Sequence, residues 1–122
     1  MNENGIMVIV KGFHNVGTLQ KLSPDSREDN VQGLFSTSGW AIADDRLENL
    51  TELAIVRNGP ADASFFCGTI ESIIPIGVVD GRGCDRYVIV ARYEPSRFVS
   101  KSKVPHANDL GYYNTNDNSV YL

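Results

Sequence analysis

Apolar positions in this chain gather in short β-branched runs and seldom recur at helical spacing. Residues 5–13 read Gly-Ile-Met-Val-Ile-Val-Lys-Gly-Phe, an apolar run bounded by glycines. That pattern predicts a strand buried on both faces and central in its sheet. Residues 34–42 resume the apolar character with Trp40 and Ile42 in alternation, and a second strand is predicted to end at Ala43. Residues 53–57 form a third strand, cut by Asn58-Gly-Pro60, a strong turn signal. The longest β segment, 64–76, places Phe66, Gly68, Ile70, Ser72 and Ile74 on one parity and Phe65, Cys67, Thr69, Glu71 and Ile73 on the other. Gly68 and Pro75 interrupt it; Gly marks a bulge or a close backbone approach and Pro an edge or bend, which predicts a curled strand. After the turn formers Asp80-Gly-Arg-Gly83, residues 86–93 alternate cleanly, and Pro95 ends that strand. A weaker strand is predicted at Phe98 and Val99.

Helical signals are few. Asp44 and Asp45 place acids in a first turn, with Leu47 and Leu50 three apart on one face, which predicts a helix of about seven residues packed on the sheet. In the polar stretch 14–32, Ser23-Pro-Asp25 and Gly33 provide start and stop signals, but Val31 is the only strongly apolar residue, so a two-turn helix and a long loop both fit. Together these elements predict a mainly β (α+β) fold, a small and strongly curved sheet of five to six strands, closed or nearly closed as a pseudo-barrel, with one or two short helices. Residues 1–104 would form that single domain. Residues 105–122 hold no aliphatic run and are expected as an irregular tail that frays or docks through Tyr112, Tyr113, Tyr121 and Leu122.

Composition narrows the function classes. The 122 residues suffice for one core, and 42% apolar with 21% charged residues is ordinary globular usage. The longest apolar run, residues 6–10, is far shorter than the roughly 20 residues of a membrane span, and residues 1–5 carry no secretory signal, so a cytoplasmic protein without membrane contact is expected. The net charge of −4 is unevenly spread. Residues 1–56 carry four Lys/Arg against eight Asp/Glu, whereas 82–104 carry Arg82, Arg86, Arg92, Arg97, Lys101 and Lys103 against Asp85 and Glu94. The basic stretch reads either as a solvated strand face or as a patch for phosphate or carboxylate.

Reactive constellations are sparse. A nucleophile needs a base in reach, and the two histidines, His14 and His106, lie in polar loops of the terminal thirds. Cys67 falls mid-strand between Phe66 and Gly68, where burial raises a thiol's pKa; Cys84, flanked by Arg82 and Arg86, is the better candidate for a reactive thiol. Two His and two Cys without close pairs do not make a zinc site, and Asp44, Asp45 and Glu48 are accounted for by a helix N-terminus. Gly81-Arg-Gly83 lacks the Gly-Lys-Ser/Thr of a phosphate loop. No cofactor, metal or catalytic residue is therefore expected. Trp40, preceded by Ser36-Thr-Ser-Gly39, reads as a core anchor or as a stacking platform beside Ser36 and Ser38.

The order Trp40, the helix through Leu47 and Leu50, the strand 53–58, then Phe66-Cys-Gly-Thr-Ile70 and Arg86-Tyr-Val-Ile-Val90 resembles the PUA-like barrel superfamily, which includes the ASCH and EVE domains. The resemblance spans residues 34–93 and rests on element order and one Gly-x-Ile step; the acidic N-terminal half and the lack of an aromatic cage depart from the base-reading members. It implies a pseudo-barrel that binds RNA, DNA or modified bases. The expected function is then a non-enzymatic binding module for nucleic acid or a nucleotide-like anion, with Ser36, Ser38, Trp40, Arg57, Arg82, Arg86 and Arg92 as binding residues. From a different class, Gly68-Thr-Ile-Glu-Ser-Ile-Ile-Pro75 followed by Arg86-Tyr-Val-Ile-Val-Ala-Arg-Tyr93 resembles the strand pairs of phage head-tail joining proteins. That implies a structural or protein-interaction component, joining-type or inhibitor-like, acting on a protein partner or as a homo-oligomer.

Overall fold

Burial on both faces makes one strand the centre of the molecule. The computed structural model describes residues 3–10, 34–78, 85–107 and 109–122. Its strands are β1 (Gly5–Val10), β2 (Leu34–Trp40), β3 (Glu52–Arg57), β4 (Phe66–Val78), β5 (Asp85–Tyr93), β6 (His106–Ala107) and β7 (Leu110–Tyr113); its helices are α1 (Asp44–Leu47) and two single 3-10 turns, Lys101–Lys103 and Asn118–Val120, one more than the one or two expected. Every residue of β1 is buried, as its unbroken apolar sequence requires. β1 lies between β3, which it pairs in parallel, and β7, which it pairs antiparallel. The remaining ladders are antiparallel, and the sheet order is β2-β5-β4-β3-β1-β7-β6.

Seven strands in an open mixed sheet replace the expected five or six in a closed or nearly closed barrel, although the mainly β class holds. The added strands come from residues 106–113, within the segment expected to be irregular. Backbone pairing explains the difference. Buried N–H and C=O groups of β1 need partners on both edges, and Leu110–Tyr113 supplies the second set. At Gly5, opposite Tyr113 in the ladder, the tyrosine ring occupies the space of a missing side chain. In β4 the register shifts between Ile70 and Ser72 and between Pro75 and Gly77, so Pro75 borders an irregularity, while Gly68 stays in register and is a place of close backbone approach. α1 is shorter than predicted: Ala43 offers no side-chain cap, and the chain leaves the helix in time for Leu50 to reach the core. His14, the signals over 23–33, the turn 80–83, Arg82 and Cys84 lie outside the described residues.

Each face of the sheet carries its own core. On the first, Ile6, Val8, Leu53, Ile55, Phe66, Tyr87, Ile89 and Ala91 pack with Ile42, Leu50 and the half-buried Trp40. On the second, Met7, Ile9, Ala54, Val56 and Cys67 lie under Val99, Val104, Tyr113 and Val120. The chain after β5 thus folds back as a layer over the second face. Bridges Val99 to Tyr121 and Ala63 to Ser100 hold it there. Fully buried aliphatic side chains such as Leu53 and Ile55 each contribute roughly 1.5–3 kcal/mol of transfer free energy.

Candidate functional site

Trp40 and Ser36 end up on opposite sides of the sheet. Ser36 and Ser38 stand opposite Val90 and Val88 of β5, but the register shifts between Ser38 and Trp40, so Trp40 stands opposite Tyr87. Tyr87, Ile89 and Ala91 face the first core and the alternate residues face away from it. The shift therefore turns Trp40 to the first face, while Ser36 shares the second face with Val90. There the indole packs on the core and its Nε1 donates to Thr37 Oγ1 at 2.8 Å. Trp40 thus stands as a core anchor, on the face opposite to Ser36.

The arginines separate as well. Arg57 is exposed at the end of β3, next to the start of β4, whereas Arg86 stands opposite Gly77 at the other end of β4. Arg92 lies on the second face opposite Thr69, and its Nε donates to Glu71 Oε2 at 2.9 Å. Both partners of that pair are well exposed, so it is worth at most about 1 kcal/mol. Arg97 turns inward to Glu52, and Lys101 Nζ donates to the Gly59 carbonyl. Among the described residues, the basic stretch of the sequence is thus distributed over several partners and is not one cationic surface.

The most concentrated polar chemistry lies where the sequence pattern gave no sign of it. Glu52 opens β3, and strand parity turns it to the second face with Ala54 and Val56, where it is only 4% exposed. Its Oε2 accepts the hydroxyls of Tyr113 and Tyr121, each at 2.7 Å, and its Oε1 accepts Arg97 Nη1 at 2.5 Å. The two rings meet edge to face at 6.3 Å, and the Arg97 guanidinium stands over Tyr121 at 5.4 Å. Burial first, then the neighbouring carboxylate, pushes the Tyr113 hydroxyl well above the usual tyrosine value; burial and the hydrogen bond to Glu52 do the same for Tyr121. With three donors on two oxygens the carboxylate is a structural anchor for the C-terminal layer. A second polar set reinforces it: Asp62 accepts Ser100 Oγ and the Ser102 amide, and Ser64 Oγ accepts the Val99 amide at 2.9 Å.

Cys67 stands opposite Ala54 in the ladder and is fully buried. Desolvation, aided by the Glu52 charge, pushes its thiol far above the ordinary value, so the nucleophilic thiolate is scarce at neutral pH. Iodoacetamide at neutral pH is expected to leave Cys67 unmodified in the native protein over hours and to label it on denaturation, read by mass spectrometry of the peptide holding Cys67. Fast native labelling would mean that the layer over Cys67 opens.

A surface remains. The C-terminal layer covers β1, β3 and the Cys67 end of β4, and leaves the second face of β2, β5 and the far part of β4 without cover among the described residues. Ser36, Val88, Val90 and Arg92 are half-buried there, with Ile74 opposite Val88 and Ser72 opposite Val90. Ile74 and, in the bulge beyond it, Ile76 are 48% and 44% exposed. A separate groove of about 750 Å³ runs past Glu3, Lys103, Tyr112, Asn114 and Asp117. Among the described residues, no three His, Cys, Asp or Glu side chains gather as a metal site, and no helix is long and apolar enough to cross a membrane. Compared with protein-family models, curated proteins and solved structures, the chain matches none.

Proposed function

We propose that this chain is a protein-binding module whose docking surface is the open second face of β2, β5 and the far part of β4. The observation that carries the reading is the apolar row of exposed Ile74 and half-buried Val88 and Val90, which no described residue covers, bordered by Ser36, Arg86 and Arg92. Contiguous apolar surface with a polar and arginine rim is the composition of a protein interface. The sequence-based expectation of a nucleic-acid or nucleotide-like ligand needs a stacking ring and cations in a row. Trp40, packed on the opposite face with its N–H satisfied, and Arg92, held by Glu71, favour the protein partner instead.

A photo-crosslinking residue placed at Ser72, with another at Asn58 in the exposed turn after β3 as control, tests this. The expected result is a discrete adduct from Ser72 that excess unmodified protein competes away, with none from Asn58. It should accompany an oligonucleotide titration that shows no salt-sensitive binding. Equal crosslinking from both positions, or oligonucleotide affinity that falls steeply with salt, would overturn the reading.

A further inference from the structure

Two asparagines of the chain stand directly before a glycine, Asn4-Gly5 and Asn58-Gly59, and the fold treats them oppositely. An asparagine side chain can react with the backbone nitrogen of the next residue, and glycine, without a Cβ, gives that nitrogen the freest approach. At Asn4 the approach is blocked. Its Nδ2 donates to Thr51 Oγ1 at 3.2 Å, and its Oδ1 accepts the Thr115 amide at 2.9 Å. Its backbone carbonyl accepts the Thr51 amide at 2.8 Å, which fixes the plane of the peptide group it shares with Gly5. Gly5 itself is buried in β1, paired on both sides and covered by the Tyr113 ring. Asn58 has none of these restraints. It follows the last residue of β3, and Asn58, Gly59 and Pro60 are all exposed in a bend. Its backbone N–H donates to the Val10 carbonyl at 2.8 Å, but no described residue holds its side-chain amide. Gly59 has a φ of +132° and open space where a Cβ would stand.

We propose that Asn58 is a site of spontaneous deamidation, a slow self-modification whose only co-reactant is water. The Gly59 nitrogen bonds to Asn58 Cγ, the bond from Cγ to Nδ2 breaks, and Nδ2 departs as ammonia with the proton of the Gly59 amide. Water then opens the cyclic imide at one of its two carbonyls and leaves aspartate or isoaspartate; nothing is oxidised or reduced. Either product adds a negative charge, and isoaspartate also lengthens the main chain by a methylene group. Lys101 Nζ donates to the Gly59 carbonyl, and Asp62, three residues on, accepts Ser100 Oγ and the Ser102 amide. The change therefore falls on the join between the turn after β3 and the C-terminal layer. It is independent of the docking surface proposed above, which lies on β2, β4 and β5.

The two asparagines make the test internal to one unaltered chain. Native protein aged at mildly alkaline pH and followed by peptide mass spectrometry should convert amide to acid at Asn58 about tenfold or more faster than at Asn4, because Asn4 reacts only from a locally opened state. The peptide holding residue 58 should yield two products of equal mass that separate chromatographically, aspartyl and isoaspartyl. In urea sufficient to unfold the chain the two rates should converge, since both pairs then lie in a free chain. Equal native rates, faster conversion at Asn4, or an Asn58 that stays intact in the native protein while it reacts in urea would overturn the proposal.

Discussion

Replacing Glu52 with alanine is expected to lower the unfolding free energy by about 3–5 kcal/mol, the range for removing one partner of a buried ionic cluster. The side chain is almost wholly buried, and its loss strands the hydroxyls of Tyr113 and Tyr121. A buried donor without an acceptor costs about 1–3 kcal/mol, so the buried Tyr113 accounts for the larger share and the half-buried Tyr121 for less. Arg97 adds less, because its side chain is 47% exposed and regains water. Glu52→Gln keeps one oxygen for the tyrosines and should lose markedly less. Urea unfolding at neutral pH measures both, and a loss below about 1 kcal/mol for Glu52→Ala would show that the network does not anchor the C-terminal layer. The same network has an alkaline signature. Both tyrosine hydroxyls are held above their ordinary value in the fold. Above about pH 10 the unfolded chain therefore gives up protons that the folded chain retains. Stability is fully present below that pH and is lost as pH rises beyond it. Tyr113→Phe should flatten this decline.

Gly68→Ala is expected to cost about 1–3 kcal/mol, the range for overpacking, or more. Gly68 lies in the middle of the sheet, opposite Leu53 of β3 on one side and Tyr93 of β5 on the other. An added methyl group would collide with the carbonyl of Arg92 and crowd the Phe66 ring. A carbonyl in a paired strand cannot step aside as a side chain can, so β4 and β5 must separate locally. Thermal unfolding with amide exchange at Ile70 and Ala91 would locate that separation. A substitution without cost would mean that the two strands are already apart at this point.

The strands that were legible in the sequence are those whose own side chains fill the core. β1, β3, β4 and β5 carry β-branched runs, and burial on both faces of β1 follows from the absence of any polar residue between Ile6 and Val10. β7 was not legible, because Leu110-Gly-Tyr-Tyr113 owes its extended form to β1, a partner about a hundred residues away. Of the two readings of Trp40, the core anchor holds and the platform beside Ser36 does not, for a local reason. An unbroken strand would set Trp40 on the face of Ser36, and the register shift between Ser38 and Trp40 turns it to the other. Glu52 escaped because a glutamate before an apolar run ordinarily marks the solvent end of a strand. Its parity with Ala54 and Val56 was the available signal, but the three donors that make burial tolerable come from positions 97, 113 and 121, which no local pattern connects to it.

The position of β1 between β3 and β7 also sets an order of events in folding. β4 and β5 are neighbours in the chain and can pair as soon as both exist, a local closure of low entropic cost. β1 is made first, yet one of its partners begins at residue 52 and the other at residue 110. During synthesis this fully buried strand therefore waits, with one edge unpaired, until residues 110–113 have emerged. Non-local pairing of this kind slows folding, and the interval before β7 arrives is when nascent copies are most prone to associate through β1.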